Sequence, residues 1–193
     1  MISAMNIFHK PMARWAVSKI GIKDGDRILD IGCGGGGNIK RMLKITPNGC
    51  VDGVDYSQAS VDQSIRLNSR AVSEKHSSIK LASVSDIPFE KGGYDAATAF
   101  QTVYFWPDIV NDMREVYTML KPGGKFMVCN MAKKSDKHPD RYKKLIKETE
   151  IMLYSDTELT AHMQHAGFRN ITFYKSRARM CSLYIGIKPQ EKH

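Results

Sequence analysis

The stretch Ile28–Ile39, ILDIGCGGGGNI, decides how this chain is read. An apolar run with the look of a strand passes directly into five glycines within six positions, 32–37. Glycine loses more conformational entropy on folding than any other residue and packs no side chain. A run of it therefore marks a backbone that must bend tightly or lie against a ligand. Between a first strand and a helix, such a turn is where open α/β sheets bind nucleotide-like ligands. Gly32, Gly34 and Gly37 satisfy G-x-G-x-x-G, and Gly32, Gly34 and Gly36 equally satisfy G-x-G-x-G, so the glycines alone do not choose the ligand.

Three neighbours narrow the choice. No Lys-Ser or Lys-Thr follows the glycines, which argues against a loop built for a triphosphate. Asp30 ends the strand two residues before Gly32, where a carboxylate repels a pyrophosphate but suits a cationic ligand. Asp55 ends the next apolar stretch, a little over twenty residues on, where an acid can accept from both ribose hydroxyls. A nucleoside with a cationic, phosphate-free tail satisfies all three, and S-adenosylmethionine is such a molecule.

Outward from the loop, strand-like and helix-like segments alternate, which predicts an α/β domain with a mostly parallel sheet. Strands are expected at 27–31, 50–55, 79–82, 94–100, 125–130, 170–174 and 180–188, and helices at 11–20, 38–45 and from a Ser57 cap to about 76. Pro107 and Asp108 open a further helix, and Lys121-Pro122-Gly123-Gly124 ends it. Ser155-x-x-Glu158 has the form of a capping box for a last helix ending at Gly167. No repeat or boundary divides the 193 residues, so one domain is expected over 1–193: an N-terminal arm and helix at 1–26, and a substrate lid at 131–154.

Composition points the same way. The hydrophobic fraction of 42% with 25% charged residues fits a globular chain, and no apolar run reaches membrane-span length. The first fifteen residues lack a signal-peptide core, so a cytoplasmic protein is expected. Cys33, Cys50, Cys129 and Cys181 form no C-x-x-C pair, and His162 with His165 lacks a third partner, so no metal site is expected. The net charge is +9, with seven Lys or Arg against three acids in 133–148, which suits a solvated face or an anion-attracting rim.

Five motifs in register resemble those of class I S-adenosylmethionine-dependent methyltransferases of the small-molecule type, from about Ile28 to Lys188. ILDIGCGGG is similar to the first, VDGVDYS to the second, and Ser85-Asp86-Ile87-Pro88-Phe89 to the adenine segment. YDAATAFQTVYFWPD resembles the fourth-strand motif and LKPGGKFMV the junction into the fifth strand. The resemblance implies a Rossmann-like three-layer α/β/α sandwich, its seven-stranded, mostly parallel sheet having an antiparallel last strand. It also implies S-adenosylmethionine as cofactor and S-adenosylhomocysteine as product.

On that resemblance Asp30, Gly32, Cys33, Gly34 and Gly36 form the loop around the cofactor. Asp55 takes the ribose, with Tyr56 beside the adenine and Ser57 next to it. Ser85, Asp86 and Ile87 meet the adenine edge, Asp86 at its exocyclic amine. Phe100, Gln101 and Thr102 approach the methionine part.

Methyl transfer from a sulfonium is an in-line displacement that positioning and solvent exclusion can accelerate without an obligatory catalytic residue. If the acceptor must lose a proton, His9 and Tyr104 are the candidate bases. No N/D-P-P-Y/F/W box or Pro-Cys pair follows the fourth strand, and no RNA-binding module is appended. This favours a small-molecule acceptor over nucleic acid, and the basic segment points to an anionic one. The alternatives are a cofactor-binding protein acting on or with RNA or a protein partner, and an NAD(P)-dependent oxidoreductase using Gly32, Gly34 and Gly37.

Overall fold

The computed structural model describes residues 10–134, 146–147, 151–176 and 181–190. Helix α1 (Lys10–Ile20) leads into strand β1 (Arg27–Ile31), the glycine turn and the short helix α2 (Gly37–Met42). Strand β2 (Cys50–Asp55) is followed by α3 (Gln58–Leu67), α4 (Ser69–Ser73) and β3 (Ile79–Leu81). The second half runs β4 (Tyr94–Phe100), a 3₁₀ turn (Val103–Phe105), α5 (Ile109–Met119), β5 (Leu120–Asn130), α6 (Asp156–His165), β6 (Arg169–Ser176) and β7 (Cys181–Ile187).

The seven strands form one sheet in the order β3-β2-β1-β4-β5-β7-β6. β1 pairs in parallel with β2 and β4, β2 with β3, and β4 with β5. β7 is antiparallel to both β5 and β6. The central strands are buried almost throughout, which is why they read as continuous apolar runs rather than alternating ones. Two clusters fill the two faces. Leu29, Ala97 and Phe126 pack under α5 and α6, while Ile28, Ala96 and Met127 pack under α1, α2 and α3. No helix among the described residues is long and apolar enough to cross a membrane.

Three local expectations change. The helix expected from Ser57 to about 76 is two helices, broken at Asn68. The buried Asn68 amide turns aside to donate to the Gly36 carbonyl at 3.1 Å and to Ser64 O at 2.9 Å, so the break braces the glycine turn. Ser57 gives no side-chain cap; its N–H donates instead to Asp55 Oδ1 at 3.0 Å. The fifth strand begins at Leu120 rather than 125, because Leu120 pairs with Tyr94 before a register shift restores the ladder at Ala96. The Ser155–Glu158 capping box forms as the spacing predicts. Most of the basic segment lies outside the described residues, but Lys133 pairs with Asp156, and Lys134 with Glu158 at 2.9 Å.

Candidate functional site

The chain order reverses direction between β1 and β4, and a crevice opens there at the carboxyl ends of β1, β2 and β4. It has two lobes, of about 380 Å³ and about 370 Å³, which share Gly32, Asp55, Tyr56, Thr102 and Phe105. Tyr56 and Phe105 are 74% and 53% exposed, so two aromatic rings stand at the rim of the cleft.

The glycine turn is made by backbone no side chain readily adopts. Gly32, Gly34 and Gly36 have φ of +69°, +53° and +76°. A Cβ on Gly32 would lie 2.3 Å from Thr102 Oγ1. One on Gly36 would lie 2.3 Å from Ser64 Oγ and 2.9 Å from Ser64 Cα, whereas one on Gly34 would meet open space. These differences predict unequal consequences. Gly36→Ala should cost several kcal/mol of folding stability, about 2–4, because helix backbone must move. Gly34→Ala should cost only about 1–2 kcal/mol of left-handed strain but intrude on the cleft that Gly34 lines. Urea denaturation compares the two directly; equal losses would contradict the packing described.

Beneath the turn, Asp30 is almost wholly buried on β1 opposite Thr98 of β4. Thr98 Oγ1 donates to Asp30 Oδ1 at 2.7 Å, while Oδ2 is buried with no hydrogen-bond partner. Burial pushes this carboxyl up to about 7, with the nearby Asp55 adding to the rise. An orphaned buried oxygen beneath a ligand-shaped turn fits a cationic donor from the cleft. Asp55 is differently placed: Gly34 N donates to its Oδ2 at 2.8 Å, so it ties the turn to the end of β2. Each oxygen keeps a further lone pair for a ligand hydroxyl.

At the end of β4, Gln101 is a non-glycine residue with φ +58°. Its side chain holds three elements together. Nε2 donates to Met12 Sδ of α1 at 3.1 Å and to the Cys129 carbonyl at 3.4 Å; Oε1 accepts from Met131 N at 3.1 Å and from the Tyr104 hydroxyl. Gln101 is thus pinned in a sparsely populated conformation where the chain enters the cleft, and such strain collects at functional sites.

The sequence-predicted residues divide as follows. Gly32, Cys33, Gly34, Asp55, Tyr56, Ser57, Phe100, Gln101 and Thr102 line the cleft, Asp30 lies under it, and Gly36 shapes the turn from behind. Cys33 is buried and its thiol is pushed well up by that burial and by the two acids, so it is neither nucleophile nor base. Ser85, Asp86 and Ile87 do not line the second lobe. Ser85 Oγ donates to Asp112 at 2.6 Å, Asp86 is exposed, and Ile87 packs into the core, leaving Ser83 and Val84 on the wall instead. The Tyr104 ring is buried with its hydroxyl given to Gln101, and it lines neither lobe; His9 lies outside the described residues. Met12, Ala13, Asn38, Arg41 and Ser60 line the first lobe without a sequence signal that singles them out. His162 packs edge-on against Tyr154, and among the described residues no group of three or more His, Cys, Asp or Glu could hold a metal.

Residues 28–124 match the family model described as a methyltransferase domain. The chain is 26% identical over 163 residues to an uncharacterized methyltransferase, YdaC, of Bacillus subtilis, covering 84% of this chain and 82% of that protein. It is also 26% identical to the demethylmenaquinone methyltransferase of Lactobacillus johnsonii, covering 88% of this chain and 79% of that one. Among solved structures, the complex between the Haloferax volcanii Trm112 methyltransferase activator and the putative methyltransferase shares the fold. Its TM-score is 0.82 at 18% identity, over 98% of this chain and 94% of that one. The chain belongs to the methyltransferase domain family, a family of class I S-adenosylmethionine-dependent methyltransferases.

Proposed function

We propose that the chain methylates a small-molecule acceptor bound against α1 and the 131–154 segment, with Asp30, Asp55 and the turn between them holding S-adenosylmethionine. The observation that carries the cofactor assignment is the pair of buried acids around one turn: Asp30 with an unpartnered Oδ2, and Asp55 anchored to Gly34. One suits a cationic tail, the other a ribose. Bound there, S-adenosylmethionine supplies an electrophilic methyl group on a sulfonium. Val84 and Trp106 give the second lobe an apolar wall, suited to the adenine.

The described residues act by placement. Gln101 and Thr102 fix the end of β4 against the turn, and Met12 and Ala13 of α1 close the first lobe against water. Excluding water raises the worth of alignment between acceptor, methyl and sulfur. Near the other side of β4, Lys134 N donates to the Tyr154 carbonyl at 3.2 Å and Met152 N to the Tyr104 carbonyl at 2.9 Å. A relative named for demethylmenaquinone makes a small acceptor the first choice.

The test is transfer of labelled methyl to a panel of phenols, quinones, isoprenoid diphosphates and total RNA. Label should enter a small molecule. Label entering RNA alone, or appearing only when a protein partner is added, would replace this acceptor class.

A further inference from the structure

Arg41 lies in the last turn of α2 and lines the first lobe, half-buried. Its Nη1 donates to Asn38 Oδ1 and, at 3.5 Å, to the Gly37 carbonyl. Both acceptors are neutral, and among the described residues no carboxylate comes within ion-pair distance of it, although Lys121, Lys133 and Lys134 each meet one. Burial, with help from Arg14 exposed on α1, lowers the Arg41 pKa, and Asp30 opposes that effect from beneath the turn. A guanidinium that gives up water without gaining a counter-ion is costly, and a second cation beside it adds to the cost. Among the described residues only Nη1 makes a hydrogen bond, which leaves Nε and Nη2 to grip an oxyanion in a fork. The Ser57 and Ser60 residues lining the same lobe add hydroxyl groups to it.

We propose that Arg41 forms an oxyanion subsite on the α1–α2 wall of the cleft, taking a carboxylate or phosphate group. Two molecules could present that group: the cofactor, through the carboxylate of its amino-acid tail, or an acidic methyl acceptor. The subsite itself stands on the unpartnered guanidinium; only the choice of bearer rests on the methyltransferase reading. With Asp30 below and Arg41 beside it, the wall is dipolar and would orient a zwitterionic tail in one sense only.

Calorimetric titration of wild type, Arg41→Gln, Arg41→Lys and Arg14→Gln separates the cases. The titrants are S-adenosylhomocysteine, 5′-deoxy-5′-methylthioadenosine (which lacks the amino-acid tail), and inorganic phosphate added to protein with and without saturating S-adenosylhomocysteine. A charge-assisted bond of this kind is worth about tenfold or more in affinity. If the cofactor carries the anion, Arg41→Gln weakens S-adenosylhomocysteine by about that factor and leaves the tail-less compound unchanged. If the acceptor carries it, both adenosyl compounds bind normally, and Arg41→Gln abolishes phosphate binding to the saturated protein. Arg41→Lys should fall between wild type and Arg41→Gln, and Arg14→Gln should have the smaller effect.

Either pattern supports the subsite. Unchanged binding of every titrant overturns it, as does equal weakening of both adenosyl compounds, which would mean that Arg41 only shapes the turn through Asn38. Should wild type bind neither adenosyl compound while Arg41 still governs phosphate binding, the subsite stands and the cofactor assignment falls.

Discussion

Replacing Asp55 with alanine is expected to weaken S-adenosylhomocysteine binding by about a hundredfold or more while the protein stays folded. Two losses combine. The carboxylate that would accept from the ribose hydroxyls disappears, and hydrogen bonds to a charged group are worth about 1.5–3 kcal/mol each. Gly34 N, held at 2.8 Å, and Ser57 N, held at 3.0 Å, also lose their acceptor, so the turn is no longer fixed to the end of β2. Folding should survive because Asp55 lies at the strand's end, while Val51 and Val54 keep β2 packed on both faces of the sheet. Asp55→Asn keeps one oxygen and the side chain's shape but not the charge, and should fall between. Calorimetry reads the affinities and the unfolding midpoint reads the fold. An alanine variant that binds as wild type removes Asp55 from the site.

The second large effect concerns Asp30. Its carboxyl titrates at about 7 rather than the ordinary 3.8, because the charged form is desolvated. Between those values the folded protein holds a proton that the unfolded chain has released, so this residue's contribution to stability is fully present below about pH 4. It is lost as pH rises towards 7. From pH 5 to pH 8 the loss is about 2.5 kcal/mol. Asp30→Asn has no such proton, so its stability relative to wild type should climb by about that much over the same interval, measured by urea denaturation at each pH. A difference that stays flat with pH would contradict the burial of an ionisable Asp30.

The cofactor should reverse the preference. A cationic group met by Asp30 Oδ2 favours the ionised form, so wild-type affinity should rise by up to about tenfold per pH unit towards 7 and then level. Asp30→Asn should bind weakly at every pH. The same carboxylate should thus lower the stability of the free protein and raise the affinity for its ligand, a trade that buried functional acids commonly make.

Much of this arrangement is legible in the chain. The strand–turn–helix pattern, the parallel core and the two acids at strand ends follow from local period and spacing, because backbone geometry at the turn tolerates few residues besides glycine. What is not legible depends on partners distant in sequence. Asn68 breaks a helix because its amide reaches the Gly36 carbonyl, 32 residues away. Ser85 gives its hydroxyl to Asp112, 27 residues on, and Ser83 and Val84 line the second lobe instead. Arg41 reads in sequence as one more cation on a short helix, and only the cleft beside it and the lack of a carboxylate within ion-pair distance among the described residues set it apart. Gln101 carries no turn signal at all; its left-handed backbone is held by contacts to α1 and β5.

The most direct measurement is the unfolding midpoint of the whole chain with S-adenosylmethionine, S-adenosylhomocysteine, NAD or NADP at millimolar concentration. A ligand that binds only the folded state raises the midpoint in proportion to the logarithm of its excess over Kd. Both adenosyl compounds should raise it by several degrees and the nicotinamides should leave it unchanged. A shift with a nicotinamide and none with either adenosyl compound would contradict the assignment of this cleft.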